Sequence, residues 1–125
     1  MKYLCLAYGN EEDWKALTDQ EREAFLAQDA VIRDRGALTG AVTTEVTTVR
    51  AWTGTPETLP QPFASAPRHL AGFSILEAEN LEEAVRLVAG TPCARAKGAI
   101  EIRPILMTNA PELRSRNTGA VIPDL

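Results

Sequence analysis

Residues 56–77, PETLPQPFASAPRHLAGFSILE, constrain this chain most. Pro56, Pro60, Pro62 and Pro67 each remove a backbone donor and fix φ, so the first half is expected to be loop rather than regular structure. The second half carries an unbroken apolar run, LAGFSIL at 70–76, suited to a buried central strand. A proline-stiffened loop feeding a core strand is a usual place for a pocket wall or a lid.

The rest of the chain must pack around that strand. Its 125 residues suffice for one hydrophobic core and not for two. A domain over 1–107 is expected, followed by a tail over 108–125. The net charge of −4, with Lys and Arg scattered, speaks against nucleic acid, which requires a basic footprint. The apolar start at 3–8 is too short to cross a bilayer and lacks the parts of a signal peptide, so no membrane is expected and the location is read as cytoplasmic. Cys5 and Cys93 have no metal-ligand spacing, and one histidine serves the whole chain. Both cysteines are read as reduced and buried, with no metal and no cofactor expected.

Along the chain, KYLCLAY at 2–8 reads as a strand ending at the Gly9-Asn10 turn signal. A short helical turn around Trp14 follows. Thr18 and Glu21 then form a capping box for a helix over 19–35, with Leu17, Ala24, Phe25, Val31 and Ile32 near one stripe and Gly36 as its left-handed stop. Gln28 lies within that stripe, where its amide serves either as a structural hydrogen bond or as a pocket lining. Strands are read at 38–42 and 46–52, and in the second Arg50 and Trp52 project together. After the proline loop come a strand over 69–77 and a helix over 81–89 capped by Asn80, with Leu81, Ala84, Val85 and Val88 on one face. Thr91 and Pro92 block continuation of that helix. A final strand covers 99–107.

The order β-α-β-β-loop-β-α-β points to an α+β fold: a ferredoxin-like protomer, both helices on one face of a mostly antiparallel sheet, with one extra strand from a hairpin. Two helices cover one face only, yet the strands offer apolar side chains to both. A homodimer is therefore expected, sheet against sheet, with a small-molecule cavity between the sheets. The tail, which carries Val121, Ile122 and Leu125, is expected to dock on the partner subunit.

Several segments in this order resemble the YCII-related, DGPF-motif proteins: the start MKYLCLAYGNEEDW, the capped helix, TTVRAW, Pro62-Phe63-Ala64, the strand around Phe73 and the ending EIRPI at 101–105. The resemblance covers 1–106. It implies a dimeric α+β barrel and a small-molecule cavity, and in some relatives lyase or isomerase chemistry on small ring compounds. The family loop reads Asp-Gly-Pro-Phe-Ala-Glu-Thr-Lys-Glu. Here its Asp, Glu and Lys positions are Pro60, Ser65 and Pro67, so the motif is degenerate (Pro60-Gln61-Pro62-Phe63) and its proton-carrying groups are gone.

The remaining candidates are few. His69, where loop meets strand, is the one imidazole, the side chain type suited to acid–base work near neutrality. Arg50 and Arg68, with Arg103, could hold an anionic ligand through the guanidinium fork. Trp52, Pro62 and Phe63 could form apolar walls, with Ser65 and Gln28 as polar ligand contacts. Each also has a plain structural reading. No phosphate loop, dinucleotide fingerprint or nucleophile elbow is present. Two readings follow: a cofactor-independent lyase or isomerase acting on a small cyclic or carboxylated compound, or a non-catalytic binding or accessory dimer whose loop has lost its reactive groups.

Overall fold

The structure, a computed structural model, describes residues 1–35 and 37–109. The apolar segment at the start of the chain becomes β1 (Lys2–Gly9), and β5 (His69–Glu77) and β6 (Ala99–Pro104) pair antiparallel along its two edges. The edge strand β2 (Leu38–Ala41) pairs with β5, giving the order β2-β5-β1-β6. Four antiparallel strands in this order, interleaved with helices, are the ferredoxin-like arrangement. No described helix is long and apolar enough to cross a membrane.

Local chemistry sets the helices. Asn10 caps the single turn α1 (Glu11–Lys15), its Oδ1 accepting from the Asp13 amide at 2.9 Å. Thr18 and Glu21 form the expected reciprocal cap of α2 (Asp19–Asp34). The backbone and hydroxyl hydrogen bonds from Thr18 hold the Glu21 carboxyl below its ordinary range. Asn80 likewise caps α3 (Leu81–Val88). Pro92 does stop α3, but it also opens a one-turn helix, α4 (Pro92–Arg95), that the sequence reading omitted; a proline without N–H suits a first helical position. Lys97, with φ of 61°, then reverses the chain into β6.

The core lies between the helices and one sheet face: Tyr3, Cys5 and Leu76 meet Ile32, Ala84 and Val88, with Ile100 and Ile102 against them. The expected stripes were too wide. Phe25 and Ile32 are buried, but Ala24 and Val31 on α2, and Leu81 and Val85 on α3, are exposed. Each residue turns about 100° from the last, so a helix on a narrow sheet buries few rows. On the other face stand Leu4, Leu6, Phe73, Ile75 and Leu38, none of them fully buried, and Leu38 is 52% exposed. The apolar second face is therefore real.

The segment between β2 and β5 differs from expectation. Strand pairing is limited to β3 (Thr48–Arg50), shorter than the expected 46–52, and its partner β4 (Glu57–Leu59) lies inside the stretch read as loop. Pro56 and Pro60 flank β4, which leaves three residues free to make a ladder. This hairpin forms a separate two-stranded sheet rather than extending the main one. Its turn uses Gly54 at φ 93°, with the Gly54 amide donating to Ala51 O at 3.0 Å. The final strand ends at Pro104 rather than 107. The Gly36 stop and the docking tail from residue 110 onward lie outside the described residues.

Candidate functional site

Four elements converge where β1 runs out. Gly9 must be small here: a Cβ would sit 3.0 Å from Cys93 Sγ on α4. Asn10 then turns α1 back, bringing Glu12 and Trp14 beside the start of β5, where His69 pairs with Gly9. A register shift between Ala7 and Tyr8 leaves Ala71 without a partner in the ladder, and the Val42 amide donates to Ala71 O at 2.9 Å. The open cavity bordered by these strand ends measures about 600 Å³, with Leu70, Pro92 and Ala96 as apolar wall and Glu11, Glu12, Trp14 and His69 as its chemistry. A second hollow of about 380 Å³ lies on the helix side between α2 and the β2–β5 pair, and shares Ala71, Pro92 and Cys93 with the first. The cavity that His69 lines is formed within one chain, at the strand ends.

Of the candidate residues, His69 alone borders this cavity, and its side chain is exposed. Arg68, its neighbour, is committed elsewhere: Nε donates to Asp13 Oδ2 at 2.6 Å and Nη1 to Pro67 O at 2.9 Å, which pins the end of the proline segment to α1. Gln28 donates its amide nitrogen to Leu87 O at 2.8 Å, linking α2 to α3. Arg50 and Trp52 do meet, the guanidinium lying 4.7 Å from the ring centroid and 3.6 Å from Glu57, but on the outlying hairpin. Trp52 is 78% exposed and Phe63 80%; Pro62 and Ser65 are exposed as well, and none of these lines either cavity. Arg103 pairs with Glu101 at 3.6 Å along its strand. The sequence reading missed Glu12 and Trp14 as wall residues. Asn10 was the available signal, since a cap after a strand folds the next turn back over the strand end.

Burial pushes the Cys93 thiol up, and the charge of Asp29 adds to this; burial also raises Cys5, against a hydrogen bond from Ser74. Neither is a ready thiolate nucleophile. A hydrogen bond to Glu101, then burial, raises Tyr8 on the open sheet face. Among the described residues, no three His, Cys, Asp or Glu side chains converge as metal ligands. What remains at the larger cavity is one imidazole, two carboxylates and an indole against an apolar wall. Such a set can bind a small molecule and move a proton.

The model of the YCII-related domain matches residues 1–109, nearly the whole chain. This protein belongs to the YCII-related family. No curated protein matches it. Among solved structures, this YCII-related chain is similar to 5-chloro-2-hydroxyhydroquinone dehydrochlorinase from Burkholderia phenoliruptrix AC1100, in complex with 2,5-dihydroxybenzoquinone. Identity is 19% over 84% of this chain and 93% of that one, with a TM-score of 0.43. A superposition that loose transfers no chemistry.

Proposed function

We propose that this YCII-related chain is a cytoplasmic homodimer acting on a small ring compound held in the strand-end cavity, with His69 moving a proton in a lyase or isomerase reaction. One observation carries the reading: the chain's single imidazole borders the strand-end cavity of about 600 Å³, beside two carboxylates and an indole. Proton transfer is the chemistry one imidazole can perform unaided, by taking a proton from carbon or oxygen and returning it. The uncovered apolar sheet face supports the dimer, because sheet packing on a twin would bury it and form an α+β barrel. A thermal-shift screen of small ring compounds, followed by turnover assays on the hits, tests the proposal. His69→Gln is expected to abolish turnover while leaving the melting temperature within about 1 °C, since an exposed side chain contributes little stability. Turnover retained by the variant removes His69 from the reaction.

A second reading, a non-catalytic binding or accessory dimer, has its own support. Pro60, Ser65 and Pro67 occupy the positions of the family loop's ionisable groups, and among the described residues His69 has no partner to orient it. Binding without turnover in the same screen selects this reading.

A further inference from the structure

We propose that the strand-end cavity takes a small organic cation, a ring compound bearing a protonated amine, and not a carboxylated one. The inference rests on reading that cavity as the ligand site, and it deepens that reading by fixing the ligand's charge. Every wall residue with a permanent charge is acidic: Glu11 and Glu12 line the cavity, and no Lys or Arg does.

Two neighbouring cations are already engaged. Lys15 Nζ lies 3.1 Å from Glu11, and Arg68 is held by Asp13 at 2.6 Å. The Glu12 carboxylate has no ion-pair or hydrogen-bond partner among the described residues, so its charge is left for an incoming group. The other two arginines suited to an anion, Arg50 and Arg103, are paired with Glu57 and Glu101 away from the cavity. A carboxylate entering here would meet like charge and find no guanidinium to receive it.

Trp14 supplies the second, independent preference. An indole face attracts cations through its quadrupole, most strongly where water is displaced. The carboxylates and His69 do not converge within metal-ligand reach, which points to an organic cation rather than a metal ion. The apolar wall of Leu70, Pro92 and Ala96 suits the ring of such a compound.

Three probes of one shape test the charge: benzylamine, benzyl alcohol and benzoate, titrated into the full chain near pH 7 and followed by NMR. An exposed ion pair and a cation–π contact are each expected to contribute roughly two- to five-fold in affinity. Benzylamine should therefore bind tighter than benzyl alcohol, and benzoate weakest. Glu12→Gln should reduce the preference of benzylamine over benzyl alcohol by about two- to five-fold. Benzoate binding as well as benzylamine overturns the inference and leaves the cavity a ligand site. So does a benzylamine preference untouched by Glu12→Gln. If none of the three binds, the ligand-site reading falls and takes this inference with it.

Discussion

Gly98 joins the fold to the site more tightly than any other described glycine. A Cβ built there lies 1.9 Å from Tyr8 O and 2.7 Å from Cys93 O, both of them backbone atoms. One belongs to the central strand β1 and the other to α4, so neither can swing away as a side-chain tip would. Compare Gly40, where an added Cβ meets the ring of Phe73 at 2.5 Å. That ring is half-buried on the open face and can rotate out of the way. Forced overpacking typically costs about 1–3 kcal/mol, and a clash with two backbones belongs at or above the upper end. For a domain of this size about 3 kcal/mol corresponds to roughly 10 °C in melting temperature. Gly98→Ala is therefore expected to melt roughly 10 °C below the parent in circular dichroism, and Gly40→Ala only a few degrees below it. Because α4 and its C-cap contribute Pro92, Cys93 and Ala96 to the cavity wall, Gly98→Ala should also weaken ligand binding. A Gly98→Ala melting temperature within 1–2 °C of the parent, or a Gly40→Ala loss as large, would refute the reasoning, since the distinction between rigid and movable neighbours would then not govern the outcome.

Other perturbations test separate parts of the account. Leu6 stands on the open sheet face between Phe73 and Glu101, so Leu6→Lys can pair with Glu101 in a lone protomer but would place a charge in the proposed sheet-to-sheet interface. Sedimentation velocity should show the parent as a dimer and the variant as a folded monomer; a dimer retained by the variant contradicts that interface. Glu77 is raised by burial but lowered more by its hydrogen bond to the N-terminal ammonium, that group's charge and Lys2, which leaves it net below its ordinary range. A depressed carboxyl stabilises the fold above its unfolded-state pKa and loses this contribution as pH falls through the folded value. Because Glu77 is half exposed, Glu77→Gln should lower stability near pH 7 by less than about 1 kcal/mol, and the difference should vanish in acid. Urea titrations at both ends check this, and a gap that persists in strong acid is the contrary result.

The main sheet was legible because its strands announce themselves. β1 and β5 are long, mostly apolar runs, β6 alternates apolar with charged residues, and the Thr18, Glu21 and Asn80 caps mark two helices at their first residues. The hairpin was not legible, since three residues between prolines carry too little pattern to outweigh the prolines. α4 was hidden because proline signals both the end of one helix and the start of another. The site was readable only at His69, which stood out by being the one imidazole. Its neighbours Glu12 and Trp14 reach it through the pairing of Gly9 with His69 and the turn set by Asn10, a long-range juxtaposition with no local signature. Arg50 and Arg68 looked available in sequence, and only the fold revealed the carboxylates that engage them.

The claim that the strand ends enclose the binding site is tested most directly by backbone and indole NMR shifts during titration with a small ring-compound library. Ligands should move the signals of His69, Trp14, Cys93 and Ala96 together and leave Leu4, Leu6 and Ile75 still. Shifts confined to the open sheet face or the β3–β4 hairpin, with His69 and Trp14 silent, would contradict it.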